Sequence, residues 1–185
     1  PKEMMNEFTN IILSEGKRLA KLINDVLDFS KLESGEEELK IVNVDVNDLL
    51  NEIVDSLQPS IDGKKLSVTR SLPDEDLVIK ADKDRMSKVI YNLLSNAIKF
   101  TNIGGRITVL AQDFGKEIEI AISDTGIGIP EKEIPKLFQK FSKVNRPGTQ
   151  ITGAGFGLTA VKQIVELHKG LIKVKSEINK GTEFV

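Results

Sequence analysis

The chain has 185 residues, 39% of them apolar, which is enough for one well-packed domain and a smaller appendage. Its 26 basic and 28 acidic side chains are interspersed and leave a net charge of −2, which argues against a nucleic-acid or anionic-membrane surface. The absence of cysteine excludes disulfides and thiolate metal sites. No segment reaches the roughly 20 apolar residues of a membrane span, so any membrane anchor is expected outside this sequence.

The first 33 residues have the apolar pattern of one long helix. Apolar side chains recur at three- and four-residue steps, interrupted at Glu15, as in a heptad seam; they are Phe8, Ile12, Leu19, Leu22, Val26 and Phe29. Gly35 can end the helix in a left-handed conformation. We therefore expect a helical segment over 1–35 and a separate domain over 39–185.

The first half of that domain alternates strands and helices. Strands are predicted over 39–44, 66–72 and 77–81, and a helix over 46–61. Asp82 is a predicted N-cap for a helix that reaches Lys99. That helix has an apolar stripe at i, i+3, i+4 and i+7 spacing, made of Met86, Val89, Ile90, Leu93, Leu94 and Ala97.

The second half begins with a predicted β-hairpin. Its strands cover 106–112 and 117–123, and the turn is Asp113-Phe114-Gly115-Lys116. A short helix over 131–138, a long loop over 142–152, a helix over 156–168 and strands over 171–176 and 183–185 follow. The order of elements predicts a mixed α+β domain.

Five short motifs stand in a fixed order along the domain. They are Asn92-Leu-Leu-Ser-Asn96-Ala-Ile-Lys99-Phe100-Thr101, Asp124-Thr-Gly126-Ile-Gly128-Ile129, Leu137-Phe138-Gln-Lys-Phe141, Gly153-Ala-Gly155-Phe156-Gly157-Leu158 and Gly181-Thr182-Glu183-Phe184. Together they resemble the N, G1, F, G2 and G3 boxes of sensor histidine kinases, a branch of the superfamily that includes gyrase, mismatch-repair and chaperone ATPases. The resemblance covers about 39–185.

The resemblance implies a two-layer α/β sandwich of the Bergerat ATP-binding type, in which helices cover one face of a mixed sheet, preceded by one long stalk helix. Its cofactors are ATP and Mg²⁺. Residues 1–35 resemble the second helix of a dimerisation stalk, whose first helix carries the phosphoacceptor histidine and is absent from this chain. The implied partners are a second subunit, bound through the stalk, and a response-regulator receiver domain. The implied location is the cytoplasmic part of a membrane-anchored sensor.

The first motif places two amides on one helical face. Asn92 and Asn96 are four residues apart, and an amide oxygen suits Mg²⁺. The resemblance assigns the metal to Asn96, with Asn92 beside it, and gives Lys99 a phosphate-neutralising role, so these three are the expected catalytic residues. The alternatives are surface polar groups for the asparagines and a helix-dipole contact for Lys99.

The second motif follows a predicted strand. Asp124 can direct its carboxylate into a pocket while Gly126 and Gly128 permit close approach of a ligand; the alternative is a turn without chemical consequence. In the family this aspartate accepts a hydrogen bond from the adenine amino group. The further nucleotide contacts implied by the resemblance are at Phe100, Ile129, Phe156, Leu158 and Thr182.

The glycines of the fourth motif open a predicted helix. Backbone N–H groups at Gly153, Gly155 and Gly157 would then point at phosphates. Lys143 lies where the family often has a basic residue and can reach the γ-phosphate, or it is a solvated loop charge. A dinucleotide-binding fold is rejected, because no convincing strand precedes this loop.

One position distinguishes kinase from hydrolase. The ATPase branches have a water-activating glutamate one turn before the metal asparagine, and here that residue is Asn92. Transfer of the γ-phosphoryl group to a stalk histidine is therefore favoured over hydrolysis. The alternatives are a degenerate ATP-binding regulatory or dimerisation module, or an ATPase of the same superfamily. His168, the single histidine, is expected to have a structural or helix-dipole role.

Overall fold

The structure, a computed structural model, describes residues 38–139 and 157–185, and several positions near the start of the chain. These early positions are all helical: Phe8, Thr9, Ile12, Leu13, Glu15, Gly16, Leu19, Ala20, Ile23 and Leu27. The chain divides into two compact units, Pro1–Glu38 and Leu39–Val185.

The second unit begins with strand β1 (Ile41–Asp45), helix α1 (Val46–Ser56) and helix α2 (Gln58–Gly63). The sequence predicts one helix over 46–61, and that prediction is wrong. Pro59 has no N–H to donate to the carbonyl of Asp55, so α1 ends at Ser56 and a new helix begins. Asp45 caps α1, since its carboxylate accepts hydrogen bonds from the N–H groups of Asn47 and Asp48.

The strands form two sheets. Strand β1 pairs antiparallel with β3 (Val78–Asp82) in a separate two-stranded sheet. The main sheet has five strands in the order β2-β4-β5-β7-β6. Its members are β2 (Ser67–Ser71), β4 (Arg106–Asp113), β5 (Ile118–Asp124), β6 (Val174–Glu177) and β7 (Gly181–Phe184). The pair β2 and β4 is parallel and the other pairs are antiparallel, so the sheet is mixed.

The described part of this unit also contains helices α3 (Lys83–Phe100) and α4 (Gly157–Leu167) and a 3-10 helix at Glu131–Lys136. The core is formed by apolar faces of the helices and alternating residues of the strands; its fully buried members include Leu49, Leu50, Ile90, Ile107, Val109, Ile122, Val161 and Ile164. This is the two-layer sandwich expected from the sequence. The predicted strand over 171–176 begins later, at Val174, although Lys173 already exchanges two backbone hydrogen bonds with Val185, at 2.7 and 2.9 Å.

Candidate functional site

Helix α3 carries the paired asparagines, and its start is fixed by a cap. Asp82 Oδ1 accepts a hydrogen bond from the N–H of Arg85 at 3.0 Å. The helix packs through a buried stripe of Val89, Ile90, Leu93, Leu94, Ala97 and Ile98. Burial of that stripe sets the rotation of the helix, so Asn92 and Asn96 lie half-buried at the border of the core, one turn apart.

The cap itself is a buried carboxylate, with 7% of the Asp82 surface exposed. Burial alone would raise the pKa of Asp82, but backbone hydrogen bonds from Arg85 and Lys40 outweigh it and hold the pKa below its ordinary value of 3.8. The Lys40 N–H donates to Oδ2 at 3.0 Å. The cap is therefore ionised at neutral pH.

The C-terminal end of α3 is held by a lysine from another element. Lys64 Nζ donates hydrogen bonds to the carbonyls of Ile98, Lys99 and Thr101 at 2.8, 2.7 and 3.0 Å. These carbonyls belong to the last turn, where intrahelical donors run out. Sequence reasoning did not identify Lys64, because nothing local in its segment signals a contact more than thirty residues away.

The last residues of α3 adjoin the loop that follows β5. Lys99 is exposed, and its Nζ lies 5.0 Å from the centroid of the Phe100 ring. The carbonyl of Phe100 accepts a hydrogen bond from the N–H of Ile127 at 3.2 Å. In the same loop Asp124 Oδ1 accepts a hydrogen bond from the Gly126 N–H at 2.8 Å. The first and second motifs are thus brought together by backbone contacts.

Gly126 and Gly128 are required by the packing of the chain on itself. A Cβ at Gly126 would lie 2.4 Å from the Phe100 carbonyl oxygen. One at Gly128, where φ is +68°, would lie 2.0 Å from the carbonyl oxygen of Glu177. The sequence suggested that these glycines admit a ligand, and the structure shows that the protein's own backbone lies against them. Ile129, the next residue, is fully buried.

Strand β7 brings the fifth motif next to Asp124. Thr182, which is 6% exposed, is the register partner of Asp124 on one side and of Ser176 on the other. Directly opposite residues of an antiparallel pair project from the same face, so the three side chains form one polar row across β5, β7 and β6. Sequence reasoning identified Asp124 and Thr182 but not Ser176.

Helix α4 begins against the asparagine pair. A Cβ added at Gly157 would lie 3.3 Å from Asn92 Oδ1, so the start of α4 faces the middle of α3. Leu158 is half-buried, and Thr159 Oγ1 donates to the carbonyl of Gln139 at 3.1 Å. That bond joins α4 to the segment that follows buried Leu137 and half-buried Phe138.

The other expected site residues lie outside the described residues; these are Phe141, Lys143, Gly153, Gly155 and Phe156. Among the residues that the structure describes, no group of three or more His, Cys, Asp and Glu side chains is placed to hold a metal ion. None of the helices in the same part of the chain is long and apolar enough to cross a bilayer.

Comparison with known proteins places this geometry in a family. The family described as "Histidine kinase-, DNA gyrase B-, and HSP90-like ATPase" matches residues 81–185, and the "His Kinase A (phospho-acceptor) domain" matches residues 1–35. The circadian input-output histidine kinase CikA of Synechococcus elongatus is 36% identical over 98% of this chain and 24% of its own length. The sensor histidine kinase YclK of Bacillus subtilis is 32% identical over 100% of this chain and 39% of its own.

Solved structures agree with the sequence relatives. Full-length ShkA in complex with AMPPNP has a TM-score of 0.84 and 27% identity, covering 97% of this chain and 37% of its own. The histidine kinase ThkA in complex with the response regulator protein TrrA has a TM-score of 0.75 and 26% identity, covering 95% and 48%. The chain spans well under half the length of these curated relatives. It belongs to the histidine kinase-, DNA gyrase B- and HSP90-like ATPase family.

Proposed function

We propose that the chain is the ATP-binding catalytic portion of a sensor histidine kinase, which transfers the γ-phosphoryl group of ATP to a histidine on a dimerisation stalk. Residues 1–35 form part of that stalk and residues 39–185 bind the nucleotide. The observation that carries the proposal is the closeness of Gly157 to Asn92: a Cβ added at Gly157 would lie 3.3 Å from Asn92 Oδ1. It brings the start of a helix, which favours phosphate, against the amide pair.

The phosphate end of the site comprises α3 and the start of α4. Backbone N–H groups at Gly157 and Leu158, with Gly153, Gly155 and Phe156 before them, hold the phosphates. Lys99, which is exposed, and Lys143 neutralise phosphate charge. These charges stabilise the phosphoryl group as it leaves ADP.

The donor set fits Mg²⁺, which prefers oxygen ligands and commonly takes one or two from the protein and the rest from water and nucleotide phosphates. The amide oxygen of Asn96 is the proposed ligand, with Asn92 one turn earlier beside it. Both residues are half-buried. When bound, the ion supplies charge neutralisation to the phosphates.

The adenine end of the site comprises Asp124, Thr182 and the loop that follows β5 and adjoins the end of α3. The Asp124 carboxylate accepts a hydrogen bond from the adenine amino group, and buried Ile129 supports the base together with Phe100. Support comes from the register of Asp124 with Thr182, which places two polar groups side by side.

Phosphotransfer is favoured over hydrolysis by the residue at position 92. Hydrolysis needs a base that activates water, and Asn92 has no carboxylate. A stalk imidazole needs no strong base before it attacks phosphorus, so positioning and charge neutralisation suffice for transfer.

The partners follow from the stalk. Phe8, Ile12 and Leu19 of the predicted seam are each more than half exposed, as expected of a seam that another helix covers. We infer a homodimer through this stalk and a response-regulator receiver domain as the phosphoryl acceptor, supported by the match to the phosphoacceptor domain and by the ThkA complex with TrrA. The parent is a sensor whose catalytic part is cytoplasmic and whose membrane anchor lies in other segments.

The test is a titration with ATP of the wild-type chain and of Asp124→Asn. Asp113 provides a matched control, because its Oδ1 accepts from the Gly115 N–H at 2.6 Å, as Asp124 does from Gly126. We expect Asp124→Asn to weaken ATP binding by about tenfold to a hundredfold, as for a charge-assisted hydrogen bond, and Asp113→Asn to leave it unchanged. Equal affinities for all three proteins would refute the adenine site.

A further inference from the structure

Ser176 is the centre of a small hydrogen-bond cluster beside the adenine end of the site. Its Oγ accepts a hydrogen bond from the Ile129 N–H at 2.8 Å and donates to the Gly181 carbonyl at 2.9 Å. It also contacts Thr182 Oγ1 at 2.9 Å. One hydroxyl thus joins the loop after β5 to the first two residues of β7.

The number of protons in this cluster fixes the direction of the Thr182 hydroxyl. The Ile129 N–H only donates and the Gly181 carbonyl only accepts, while Ser176 has a single proton, which goes to Gly181. All three contacts of Ser176 are hydrogen bonds at once only when Thr182 donates its own proton to Ser176 Oγ. What remains on Thr182 Oγ1 for any ligand is a pair of acceptor sites.

The backbone at Gly181 is held in place by its packing. At Gly181 φ is +113°, and an added Cβ would lie 1.7 Å from the carbonyl oxygen of Asp124, so the backbone is tightly packed there. Loss of the Ser176 donor would leave this carbonyl without that bond. The cluster therefore has one preferred proton arrangement.

Thr182 lies directly opposite Asp124, and an ionised carboxylate is also acceptor-only. The two neighbouring groups thus present lone pairs and no protons to a base. An exocyclic amino group, as in adenine, donates to such a pair. A carbonyl oxygen at the same position, as in hypoxanthine or guanine, would face two acceptors and lose its hydrogen bonds.

We propose that Ser176 is a positioning residue that holds Thr182 as an acceptor and thereby contributes to selection of a 6-aminopurine over a 6-oxopurine nucleotide. The inference rests on the proposed nucleotide site and adds a residue to it. When Ser176 is replaced by alanine, the Thr182 hydroxyl rotates freely and donates to a 6-oxo group. The preference for the amino base then decreases.

The experiment compares dissociation constants for ATP and inosine triphosphate: adenine has a 6-amino group beside an unprotonated N1, whereas hypoxanthine has a 6-oxo group beside an N1–H. The proteins are wild type, Ser176→Ala, Thr182→Val and the double variant. The ratio of interest is the dissociation constant for inosine triphosphate divided by that for ATP. We expect Ser176→Ala to lower this ratio by about tenfold, which corresponds to the free energy of one hydrogen bond. In the Thr182→Val background the same substitution should change the ratio by less than about twofold, because no hydroxyl remains to rotate.

Three further variants separate this role from a structural one. Ser123→Ala removes a hydroxyl from the neighbouring strand, where it donates to the Glu183 carboxylate at 3.1 Å, and should leave the ratio unchanged. Ser176→Thr keeps the hydroxyl and should keep the wild-type ratio. Ser176→Cys keeps the side-chain shape with weaker hydrogen bonds and should give an intermediate ratio, which tests the proposal even where the alanine variant folds poorly.

The outcomes are distinct. Equal loss of affinity for both nucleotides in Ser176→Ala and Ser176→Cys would overturn the positioning role and leave the nucleotide site intact. An equal change of ratio with and without the Thr182 hydroxyl would also overturn it. Absence of ATP binding by the wild-type chain would refute the proposed function, and the role of Ser176 with it.

Discussion

The imidazole of His168 accepts a hydrogen bond at Nε2 from the backbone N–H of Asp82 at 3.0 Å, although the residues are 86 positions apart. Its Nδ1 lies 2.8 Å from the carbonyl of Ile164, which can only accept, so Nδ1 donates a hydrogen bond there. The residue that follows α4 is thus bonded to the cap of α3. The expected structural role of His168 is confirmed.

Replacing this imidazole should destabilise the domain without touching the nucleotide site. We expect His168→Ala to lower the free energy of unfolding by about 1–3 kcal/mol, because the backbone N–H of buried Asp82 loses its acceptor. Denaturant unfolding measures the effect, and the exposed neighbour Lys169→Ala is the control. Equal stabilities of the two variants would mean that the long-range bond contributes nothing.

The Asp82 cap predicts an acid limit to stability. Its pKa is depressed in the folded state, so its contribution is present above the ordinary value of 3.8 and is lost as pH falls through the lower folded-state value. Asp82→Asn should therefore be less stable than wild type at neutral pH, and the difference should shrink below about pH 4. Thermal melts across pH measure this. A difference that is independent of pH, or one matched by exposed Asp84→Asn, would contradict the ionised cap.

Alanine substitutions at Gly128 and Gly115 should distinguish the cost of a steric clash from the cost of backbone strain. Both have positive φ, +68° and +80°, but an added Cβ at Gly115 meets nothing within 4 Å, whereas one at Gly128 meets Glu177 O at 2.0 Å. We expect Gly115→Ala to lower the unfolding free energy by about 1 kcal/mol and Gly128→Ala by more than about 3 kcal/mol. Similar losses for the two variants in urea unfolding would show that packing against Glu177 is unimportant.

Lys64 should contribute more to the free energy of unfolding than an ordinary surface lysine does. Lys64→Met keeps the aliphatic stem but removes three hydrogen bonds from the end of α3. We expect a loss of about 1.5–3 kcal/mol, as for charged donors, and faster hydrogen exchange in the last turn of α3. The adjacent, exposed Lys65→Met is the control. Unchanged exchange at that turn would contradict the anchoring role.

Elements with local signals were predictable from the sequence. The cap at Asp82 and the Asp113 turn each lie within a few residues, and both are confirmed. The predicted stripe of α3 is confirmed except at Met86, which is half-buried, and it also includes Ile98. The prediction of one helix over 46–61 was wrong because it followed the apolar periodicity and took no account of the missing N–H of Pro59.

Contacts between distant segments had no such signal. The hydrogen bonds of Lys64, Ser176 and His168 join residues that only the fold brings together. The roles of Asn92, Asn96 and Asp124 toward a nucleotide remain predictions, supported by the residues that surround them.

The central claim is phosphoryl transfer to a stalk histidine, and the most direct measurement follows γ-labelled ATP with this chain and with a longer chain that includes the preceding stalk helix. We expect acid-labile label on the longer protein alone and little free phosphate from either, because Asn92 supplies no base for hydrolysis. Rapid release of labelled phosphate by the 185-residue chain would contradict the account and indicate an ATPase. Binding without transfer in the longer chain would contradict it as well and indicate a degenerate nucleotide-binding module.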